Sequence, residues 1–415
     1  MKSKADAFII LAAGHSKRMN SELSKALHKI GNFPILEHII YNAKQLSPKN
    51  IAVVINFSLI KQLQYFQDIQ LIIQKSALGT CDAVKIAMRS MTQLPDSSIV
   101  VIQYGDTPFI KPSTITKMID SLKDKALICL GFKTKNKEYG KLLIKCGLLK
   151  GIIEVQKNEN CNQEFLANAG IIVTYAKNLR DLLKKVEFNK LKQEFYLTDI
   201  VSIATKNNLN VDYITTNEEE AIGINNRNDL AKAEFYFQKN KRKFFINTGV
   251  TLLAPETIFF SLDTQIGMDS IIYPYVFFGP GVKIGSNVKI GPFVKCEYTT
   301  IGKNAILGNF VEAKTSDIGT DTKIKHLSYI GNTKIGSKSN IGAGTVVCNY
   351  DGKKKHKTNI GNNCFIGANS SLIAPLNIRD NAIIAAGSVI VKDVPKKSLA
   401  IARKKQIIRK IRSST

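Results

Sequence analysis

Residues 360–390, IGNNCFIGANSSLIAPLNIRDNAIIAAGSVI, place an aliphatic side chain at every sixth position. The same period recurs upstream from about residue 266, with slips between successive rows. The rows consist of Ile266, Ile272, Phe278, Ile284 and Ile290; Ile318, Ile324 and Ile330; Ile335, Ile341 and Val347; and Ile360, Ile366, Leu372, Ile378, Ile384 and Ile390. No helix has this period, whereas stacked short strands with one inward aliphatic residue per repeat bury a continuous column. The pattern therefore predicts a parallel β-helix.

Glycine follows many of these aliphatic residues, and two features interrupt the period. We expect pairs such as Ile284-Gly285 and Ile301-Gly302 to form tight corners, because glycine reaches backbone conformations closed to other residues. An inserted stretch, residues 348–357 (CNYDGKKKHK), must loop out of the coil, and loops on rigid scaffolds carry function. The rows also slip on both sides of residues 309–314, which leaves open a functional feature or a structural irregularity.

The length of 415 residues and the different patterns of the two halves predict two domains. We expect an α/β domain over residues 1–228, a helical linker over 229–246, the β-helix over 247–395 and a basic tail over 396–415. No apolar run approaches the length of a membrane span, and the seven cysteines lack metal-ligand spacing. These features predict a cytoplasmic protein with reduced thiols and no membrane partner.

The formal net charge of +26 raises the hypothesis of nucleic-acid binding, because basic surfaces attract phosphate backbones. Lysine is spread along the whole chain, however, and no basic motif with interleaved aromatic residues is present. We therefore expect no nucleic-acid partner. The dense basic segment from Lys396 to Arg412 is better suited to lie near an anionic cofactor.

The N-terminal half alternates predicted strands and helices, which is typical of a mostly parallel sheet. The run AFIILAA at residues 7–13 predicts the first strand, and the other predicted elements are strands Ile51–Ile55, Leu71–Ile73, Ile99–Ile102 and Ala126–Leu130 and helices Ile35–Gln45 and Ala83–Met91. Gly14 and the basic residues up to Lys25 then form a candidate phosphate-binding loop. Asp106 follows another strand, where a carboxylate could share Mg²⁺ with substrate phosphates, although a single Asp there is commonly a turn residue.

These residues are part of a longer resemblance. LAAGHSKRM (11–19) followed by LSKALHKIGNFPILEHII (23–40) resembles the opening of sugar-nucleotide pyrophosphorylases, except that Ser16-Lys17 replaces the usual Gly-Thr. The matches continue in register at Tyr104-Gly105-Asp106, Tyr139-Gly140, Glu154, Asn168-Ala169-Gly170, EFYLTDI (194–200) and Gly223 to Arg227. Together they resemble the uridyltransferase half of the bifunctional N-acetylglucosamine-1-phosphate uridyltransferase / glucosamine-1-phosphate N-acetyltransferase family.

That resemblance implies a UDP-sugar site and an Mg²⁺ cofactor. The implied site residues are Leu11, Ala12, Ala13, Gly14, Lys25, Gln74, Gly79, Thr80, Tyr104, Gly105, Asp106, Gly140, Glu154, Asn168 and Asn225. Asp106 and Asn225 would hold Mg²⁺, and Lys25 would contact the phosphates. Uracil would lie at Gln74, Gly79 and Thr80, and the sugar at Gly140, Glu154 and Asn168. A sugar phosphate is already an anion, so its attack on UTP needs positioning and charge neutralisation and no general base.

The later coils resemble the acetyltransferase half of the same family at GNFVEAK (308–314), HLSYIG (326–331), NIGAGTVVCNYDGKKKHKT (340–358) and AAGSVI (385–390). An amine must lose a proton before it attacks a thioester, and His326 is the implied general base. The implied amino-sugar-phosphate site is Lys314, Tyr329, Asn340 and Lys355; the implied acetyl-CoA site is Ala343, Asn349, Tyr350, Ala368, Ala386 and Arg403. The family also implies homotrimers with acetyltransferase sites between subunits.

One position departs from the family, which places an arginine-rich RLRPG turn where this chain has Lys295-Cys296-Glu297-Tyr298, one residue fewer. A bidentate contact to the sugar phosphate is lost, and either Lys295 substitutes as a point charge or acetyl transfer is weakened or absent.

The sequence thus predicts a Rossmann-like α/β nucleotidyltransferase domain followed by a left-handed parallel β-helix of hexapeptide repeats. Its predicted function is acetyl transfer from acetyl-CoA to glucosamine-1-phosphate and then uridylyl transfer from UTP, which feeds peptidoglycan or lipopolysaccharide synthesis. The alternatives are a uridyltransferase whose β-helix only oligomerises or regulates, and a non-enzymatic scaffold with a nucleotide-sensing domain. Retention of Asp106 and Lys25 disfavours the second alternative.

Overall fold

A computed structural model describes residues 4–14, 17–63, 66–153, 163–190 and 193–409. The chain divides into two compact units, Met1–Glu234 and Phe235–Thr415. Within the described ranges, no helix has both the length and the apolar character needed to cross a membrane. The predicted boundaries at residues 228, 246 and 395 stay predictions.

The first unit is built on a mixed sheet with helices on both faces. Its strands are β1 Ala7–Leu11, β2 Lys29–Ile30, β3 Phe33–Pro34, β4 Asn50–Ile55, β5 Gln70–Ile73, β6 Ile99–Tyr104, β7 Leu127–Thr134, β8 Lys141–Lys145, β9 Leu148–Ile153, β10 Phe165–Tyr175 and β11 Val211–Thr216. Its helices are α1 Ile35–Gln45, α2 Ile60–Leu63, α3 Thr80–Ser90, α4 Pro112–Leu122, α5 Ala176–Lys184 and α6 Asp199–Lys206. The strand order is β11-β7-β10-β6-β1-β4-β5, and β10 runs antiparallel to both of its neighbours.

Strand β1 lies inside this sheet, between β6 and β4, and its side chains contribute to the two cores on either face. Ala7 and Ile9 pack on one side, among residues of α3, α5 and α6, whereas Phe8 and Ile10 pack on the other, among residues of α1 and α4. Both faces are therefore covered, as the continuous apolar run of β1 predicted. The predicted α/β fold is confirmed, and α1 begins and ends at the predicted residues.

The second unit is a left-handed parallel β-helix, as predicted. Helix α7 Arg227–Asn247 precedes it and includes the segment expected as a helical linker. Its strands are β12 Thr251–Leu252, β13 Gln265–Ile266, β14 Ile271–Ile272, β15 Phe277–Phe278, β16 Lys283–Ile284, β17 Lys289–Ile290, β18 Lys295–Ile301, β19 Ile306–Asn309, β20 Glu312–Ile318, β21 Lys323–His326, β22 Tyr329–Gly331, β23 Thr333–Ile335, β24 Asn340–Ile341, β25 Val346–Cys348, β26 Thr358–Ile360, β27 Phe365–Ile366, β28 Ser371–Ile373, β29 Leu376–Ile378, β30 Ile383–Ile384, β31 Val389–Ile390 and β32 Leu399–Ala400. All of the predicted rows lie in or against one buried column.

Hydrogen bonds between corners give the length of each coil. Val288 N donates to Ser270 Oγ 18 positions earlier, but Thr333 N donates to Ser316 Oγ only 17 positions earlier. The slips around residues 309–314 are therefore coils shortened by one residue. Across the inserted stretch, Cys364 N donates to Ser339 Oγ 25 positions earlier, because residues 348–357 loop out between neighbouring strands as expected.

The reason given for the corner glycines is wrong. Gly285 and Gly302 do not have a positive φ; the left-handed corner positions are instead taken by residues such as Asn287, Asn304 and Asp321, at φ 58°, 59° and 60°. A Cβ on Gly302 would lie 2.7 Å from the backbone nitrogen of Thr320. These glycines are required because the next coil stacks too closely to admit a side chain.

Candidate active sites

A cleft of about 460 Å³ opens at the carboxyl ends of β1, β5 and β6 in the first unit. Ligands of open α/β sheets bind at this edge, where the first turns of the following helices present backbone N–H groups. The predicted residues that line the cleft are Leu11, Ala12, Ala13, Gly14, Lys25, Gln74, Gly79, Thr80, Tyr104, Gly105, Asp106 and Asn225. The structure thus brings together most of the UDP-sugar site implied by the sequence.

Three charged or polar side chains converge in this cleft. Lys25 Nζ lies 2.7 Å from Asp106 Oδ2 and 3.2 Å from Asn225 Oδ1. Asn225 is held in place because its backbone N–H donates to Asp229 Oδ2 in the first turn of α7, at 3.0 Å. The carboxylate and amide oxygens therefore point at one position, which the lysine ammonium occupies.

That position has the properties of a magnesium site. Mg²⁺ prefers hard oxygen ligands and usually takes one or two from protein, the rest from water and substrate phosphates. Asp106 and Asn225 offer one carboxylate and one amide oxygen, both within hydrogen-bond reach of a single cation. Among the described residues no cluster of three or more His, Cys, Asp or Glu is placed to hold a metal.

Gly79 forms the rim of the cleft before α3. Its φ of 101° is closed to most residues, and a Cβ there would lie 2.5 Å from the carbonyl oxygen of Phe195. The Gly79 carbonyl accepts from Gln74 Nε2 at 3.1 Å, and the same nitrogen donates to Asp82 Oδ2 at 2.8 Å. The buried Gln74 amide is thereby fixed in one orientation.

Two predicted residues that the structure describes, Gly140 and Asn168, do not line the cleft. Gly140 and Asn168 lie together, since Asn168 N donates to the Gly140 carbonyl at 2.7 Å. Gly170 N in turn donates to Asn168 Oδ1 at 3.1 Å. Glu154 lies outside the described residues, as does Ser16.

Sequence reasoning missed several residues that line the cleft, namely Ser24, Ala26, Ala77, Ala83 and Glu194, and it included Arg18 only as one of the basic residues of the candidate phosphate-binding loop. Arg18 donates to Asn225 Oδ1 at 3.0 Å and adds a second cation beside Lys25. It belongs to the basic turn already recognised as a candidate phosphate loop, so its charge was the available signal. Glu194 begins the EFYLTDI stretch, but only the fold brings that stretch to the cleft.

In the second unit, a charged cluster forms on neighbouring strands β18, β20 and β22. Glu297 pairs in register with Lys314, and Glu312 pairs with Tyr329. Glu297 Oε2 lies 2.8 Å from Lys314 Nζ, and Oε1 lies 3.0 Å from Lys295 Nζ. Hydrogen bonds from Lys314 and Lys295 hold the pKa of Glu297 below its ordinary value, and Glu297 raises the pKa of Lys314. Lys314 and Tyr329, both predicted, thus lie on one face.

His326 lies at the end of β21, one corner away from Tyr329. It is exposed and pairs in register with Asn309, and its backbone carbonyl accepts from Ser328 Oγ at 2.8 Å. Asn340 lies on the same face as His326, in register with Lys323. Within one chain, therefore, the predicted amino-sugar residues are divided between two faces of the coil.

The looped-out stretch is organised around Asp351. Its carboxylate accepts from the backbone N–H groups of Lys353 and Lys354 and lies 2.7 Å from His356 Nε2. The Lys354 backbone N–H and the His356 ring hold the pKa of Asp351 well below its usual range. Lys355 lies within this loop and forms an antiparallel bridge with Tyr350, so the loop presents it from a closed turn.

The predicted acetyl-CoA residues form two groups. Ala343, Ala368 and Ala386 stack at one corner of the coil. The Ala343 carbonyl accepts a hydrogen bond from Asn369 N at 2.7 Å, and the Ala368 carbonyl accepts one from Gly387 N at 2.8 Å. Arg403 joins this corner by donating to the Ala386 carbonyl at 2.6 Å.

Asn349 and Tyr350 are apart from that corner, because they follow β25 whereas Ala343 precedes it. Asn349 Nδ2 donates to Asn332 Oδ1 at 2.7 Å, and Tyr350 OH donates to the Gly352 carbonyl at 2.6 Å. Asn349 and Tyr350 therefore lie at the opposite end of β25 from Ala343.

Comparisons with known proteins agree with both units. Residues 8–186 match the MobA-like NTP transferase domain, residues 263–298 match the bacterial transferase hexapeptide model (six repeats), and residues 357–392 match the hexapeptide repeat of succinyl-transferase.

Three relatives called bifunctional protein GlmU are similar over nearly the whole chain. The protein of Wolbachia sp. subsp. Brugia malayi (strain TRS) is 72% identical over 98% of this chain and 100% of its own length. That of Wolbachia pipientis wMel is 64% identical over 99% of this chain and 100% of its own. That of Anaplasma marginale (strain Florida) is 42% identical over 96% of this chain and 97% of its own.

Proposed function

The chain belongs to the family of bifunctional GlmU proteins, and we propose that the two sites described above carry its two reactions. It acetylates glucosamine-1-phosphate with acetyl-CoA and then transfers uridylyl from UTP to the resulting N-acetylglucosamine-1-phosphate, releasing pyrophosphate. The observation that carries the first site is the convergence of Asp106 and Asn225 oxygens on the Lys25 ammonium inside the cleft.

In the uridyltransferase cleft, Asp106 and Asn225 would hold Mg²⁺, which when bound neutralises charge on the UTP phosphates. Lys25 and Arg18 supply further positive charge to the triphosphate, and Gln74 presents an oriented amide to the base. The sugar phosphate attacks the α-phosphorus as an anion, so these residues position and neutralise rather than transfer protons.

In the acetyltransferase site, His326 accepts a proton from the amine of glucosamine-1-phosphate as the amine attacks the thioester. Lys314, Tyr329, Asn340 and Lys355 bind the sugar phosphate. The exposure of His326 at a strand end supports this role, because a general base must reach its substrate. The amine forms an amide bond with the acetyl carbonyl carbon, and the carbon–sulfur bond breaks to release coenzyme A.

We further propose a cytoplasmic homotrimer in which neighbouring subunits complete the acetyltransferase sites. The separation of His326 and Asn340 from Lys314 on two faces of one coil supports this assembly. Acetyl-CoA would lie along Ala343, Ala368 and Ala386 near Arg403.

Two substitutions test the assignment by separating the activities. Asp106→Asn should lower pyrophosphate release about a hundredfold to a thousandfold, because it weakens a ligand to the Mg²⁺ that would neutralise the developing phosphate charge, and it should leave thiol release unchanged. His326→Ala should lower thiol release about a hundredfold to ten-thousandfold and leave pyrophosphate release unchanged when N-acetylglucosamine-1-phosphate is supplied. Loss of both signals in either variant would contradict two separate sites.

A second candidate is a uridyltransferase whose β-helix only assembles subunits. The observation that favours it is the pairing of Lys295 and Lys314 with Glu297, which uses the cations expected for the sugar phosphate. Thiol release by the wild-type protein distinguishes the two.

A further inference from the structure

Glu297 is a carboxylate built into the position expected to bind a phosphate. Its two oxygens lie 3.0 Å from Lys295 Nζ and 2.8 Å from Lys314 Nζ, and only 18% of its side chain is exposed. In a site for a phosphate dianion, two ammonium groups at this spacing would face the substrate. Here they face a side chain of the same protein.

The coil is shaped to accept this side chain. Gly279 lies under Glu297 in the neighbouring coil, and a Cβ on Gly279 would lie 2.6 Å from Glu297 Cγ. On the far side of Lys314, Gly331 follows in register. The Glu297–Lys314 pair thus lies between two glycines in one column, and Gly279 leaves the space that the Glu297 side chain fills.

The formal charges of Lys295, Lys314, Glu297 and Glu312 sum to zero. Lys295 and Lys314 carry two positive charges, and Glu297 and Glu312 carry two negative charges, with Glu312 Oε1 3.9 Å from Lys295 Nζ. Tyr329 is the other titratable group that faces Lys314. With both carboxylates in place, these four side chains offer a phosphate dianion no net positive charge, so its binding is strengthened when a carboxylate leaves.

We propose that Glu297 is an internal anion that occupies the phosphate position of the acetyltransferase site and must be displaced from Lys295 and Lys314 by the phosphate of the amino sugar. The inference rests on the proposed function of this site. Glu297 thereby lowers the affinity of the site for every phosphate, so small anions bind weakly and amino-sugar phosphates depend on the affinity gained from the sugar. No covalent step is involved.

The test is the affinity of the full-length protein for two probes, glucosamine-1-phosphate and inorganic phosphate, measured by calorimetry. Saturating UDP-N-acetylglucosamine is present throughout, so that the nucleotidyltransferase cleft is occupied. Glu297→Gln keeps the size of the side chain and removes its charge. Asp317→Asn is the matched control, because it removes the same charge from an exposed position on the neighbouring strand β20, in register with Lys334.

Glu297→Gln should lower the Kd for both probes about threefold to tenfold, since two partly exposed ion pairs no longer compete. Glu297→Asp, which keeps the charge but reaches less far, should give an intermediate Kd, and Asp317→Asn should leave the Kd unchanged. Unchanged or weaker binding by Glu297→Gln would overturn the proposal, and weaker binding would mean that the carboxylate contacts the substrate. Uridyltransferase activity and circular dichroism report folding of each variant.

Thiol release from acetyl-CoA, recorded on the same samples, separates this inference from the proposed function. If Glu297→Gln binds the probes more tightly but neither the wild type nor any variant releases thiol, the internal anion is supported and the acetyltransferase assignment is contradicted. Thiol release with no change in Kd keeps the assignment and overturns the internal anion.

Discussion

Replacing Gly79 by alanine tests the geometry of the nucleotide cleft. The substitution meets two costs, because the φ of 101° is unfavourable for alanine and the new Cβ would lie 2.5 Å from Phe195 O and 2.8 Å from Phe195 N. Strain at such a backbone position costs about 1–3 kcal/mol. Both obstacles are backbone atoms, so relief requires the segment around Phe195 or the start of α3 to move.

The expected destabilisation of the N-terminal unit is about 2–3 kcal/mol once the backbone shift is included. For a unit of this size, each kcal/mol lowers Tm by about 2–4 °C, so the N-terminal transition should fall by roughly 4–12 °C. Calorimetry measures this shift. Gly14→Ala is the matched stability control, because a Cβ on Gly14 would meet no atom of the described residues within 4 Å.

The same substitution should raise KM for UTP about tenfold, since Gln74 is oriented by the Gly79 carbonyl and a small misplacement of such groups is costly. Thiol release should not change, because the acetyltransferase residues lie in the other unit. A Tm within 1 °C of wild type, or an equal fall in Gly14→Ala, would refute the argument from close backbone approach.

Three further substitutions test other parts of the account. Lys25→Met should lower kcat for pyrophosphate release about a hundredfold or more, because a preorganised cation beside Asp106 is removed; a change confined to KM would contradict this. Ile324→Ala should destabilise the β-helix by about 2–5 kcal/mol in urea unfolding, because Ile324 is fully buried in the column; an unchanged midpoint would exclude it from the core. The pKa of Glu297 is lowered by folding, so its pairing stabilises the protein above the unfolded pKa and is lost as pH falls through the folded value. The Tm difference between wild type and Glu297→Gln should therefore be present at pH 7 and shrink as pH falls below the unfolded pKa of about 4.3, whereas a difference independent of pH would assign it to packing.

The β-helix could be predicted because its period repeats many times and each repeat buries one residue of the same column. The helix Ile35–Gln45 was likewise predictable from its alternation of apolar and polar faces. The corner glycines were correctly recognised but wrongly explained, since the closeness of the next coil is not visible in a single repeat.

The two sites show where sequence reasoning stops. Asp106 and Lys25 stand out because each follows a strand or turn of recognisable chemistry. Their convergence with Asn225, which lies more than a hundred positions further along, depends on the folded sheet. The Glu297–Lys314 pair depends on the 17-residue coil that brings them into register. A coil of 18 residues would have paired different side chains, so only the structure could assign the carboxylate its partners.

The most direct test of the two-site account is a single assay of the purified full-length protein with glucosamine-1-phosphate, acetyl-CoA, UTP and Mg²⁺, recording thiol and pyrophosphate as separate signals. The account predicts that pyrophosphate release requires acetyl-CoA and follows thiol release with a lag, one pyrophosphate per thiol. Pyrophosphate that forms only from added N-acetylglucosamine-1-phosphate, with no thiol from glucosamine-1-phosphate, would contradict it and leave a uridyltransferase on an inactive coil.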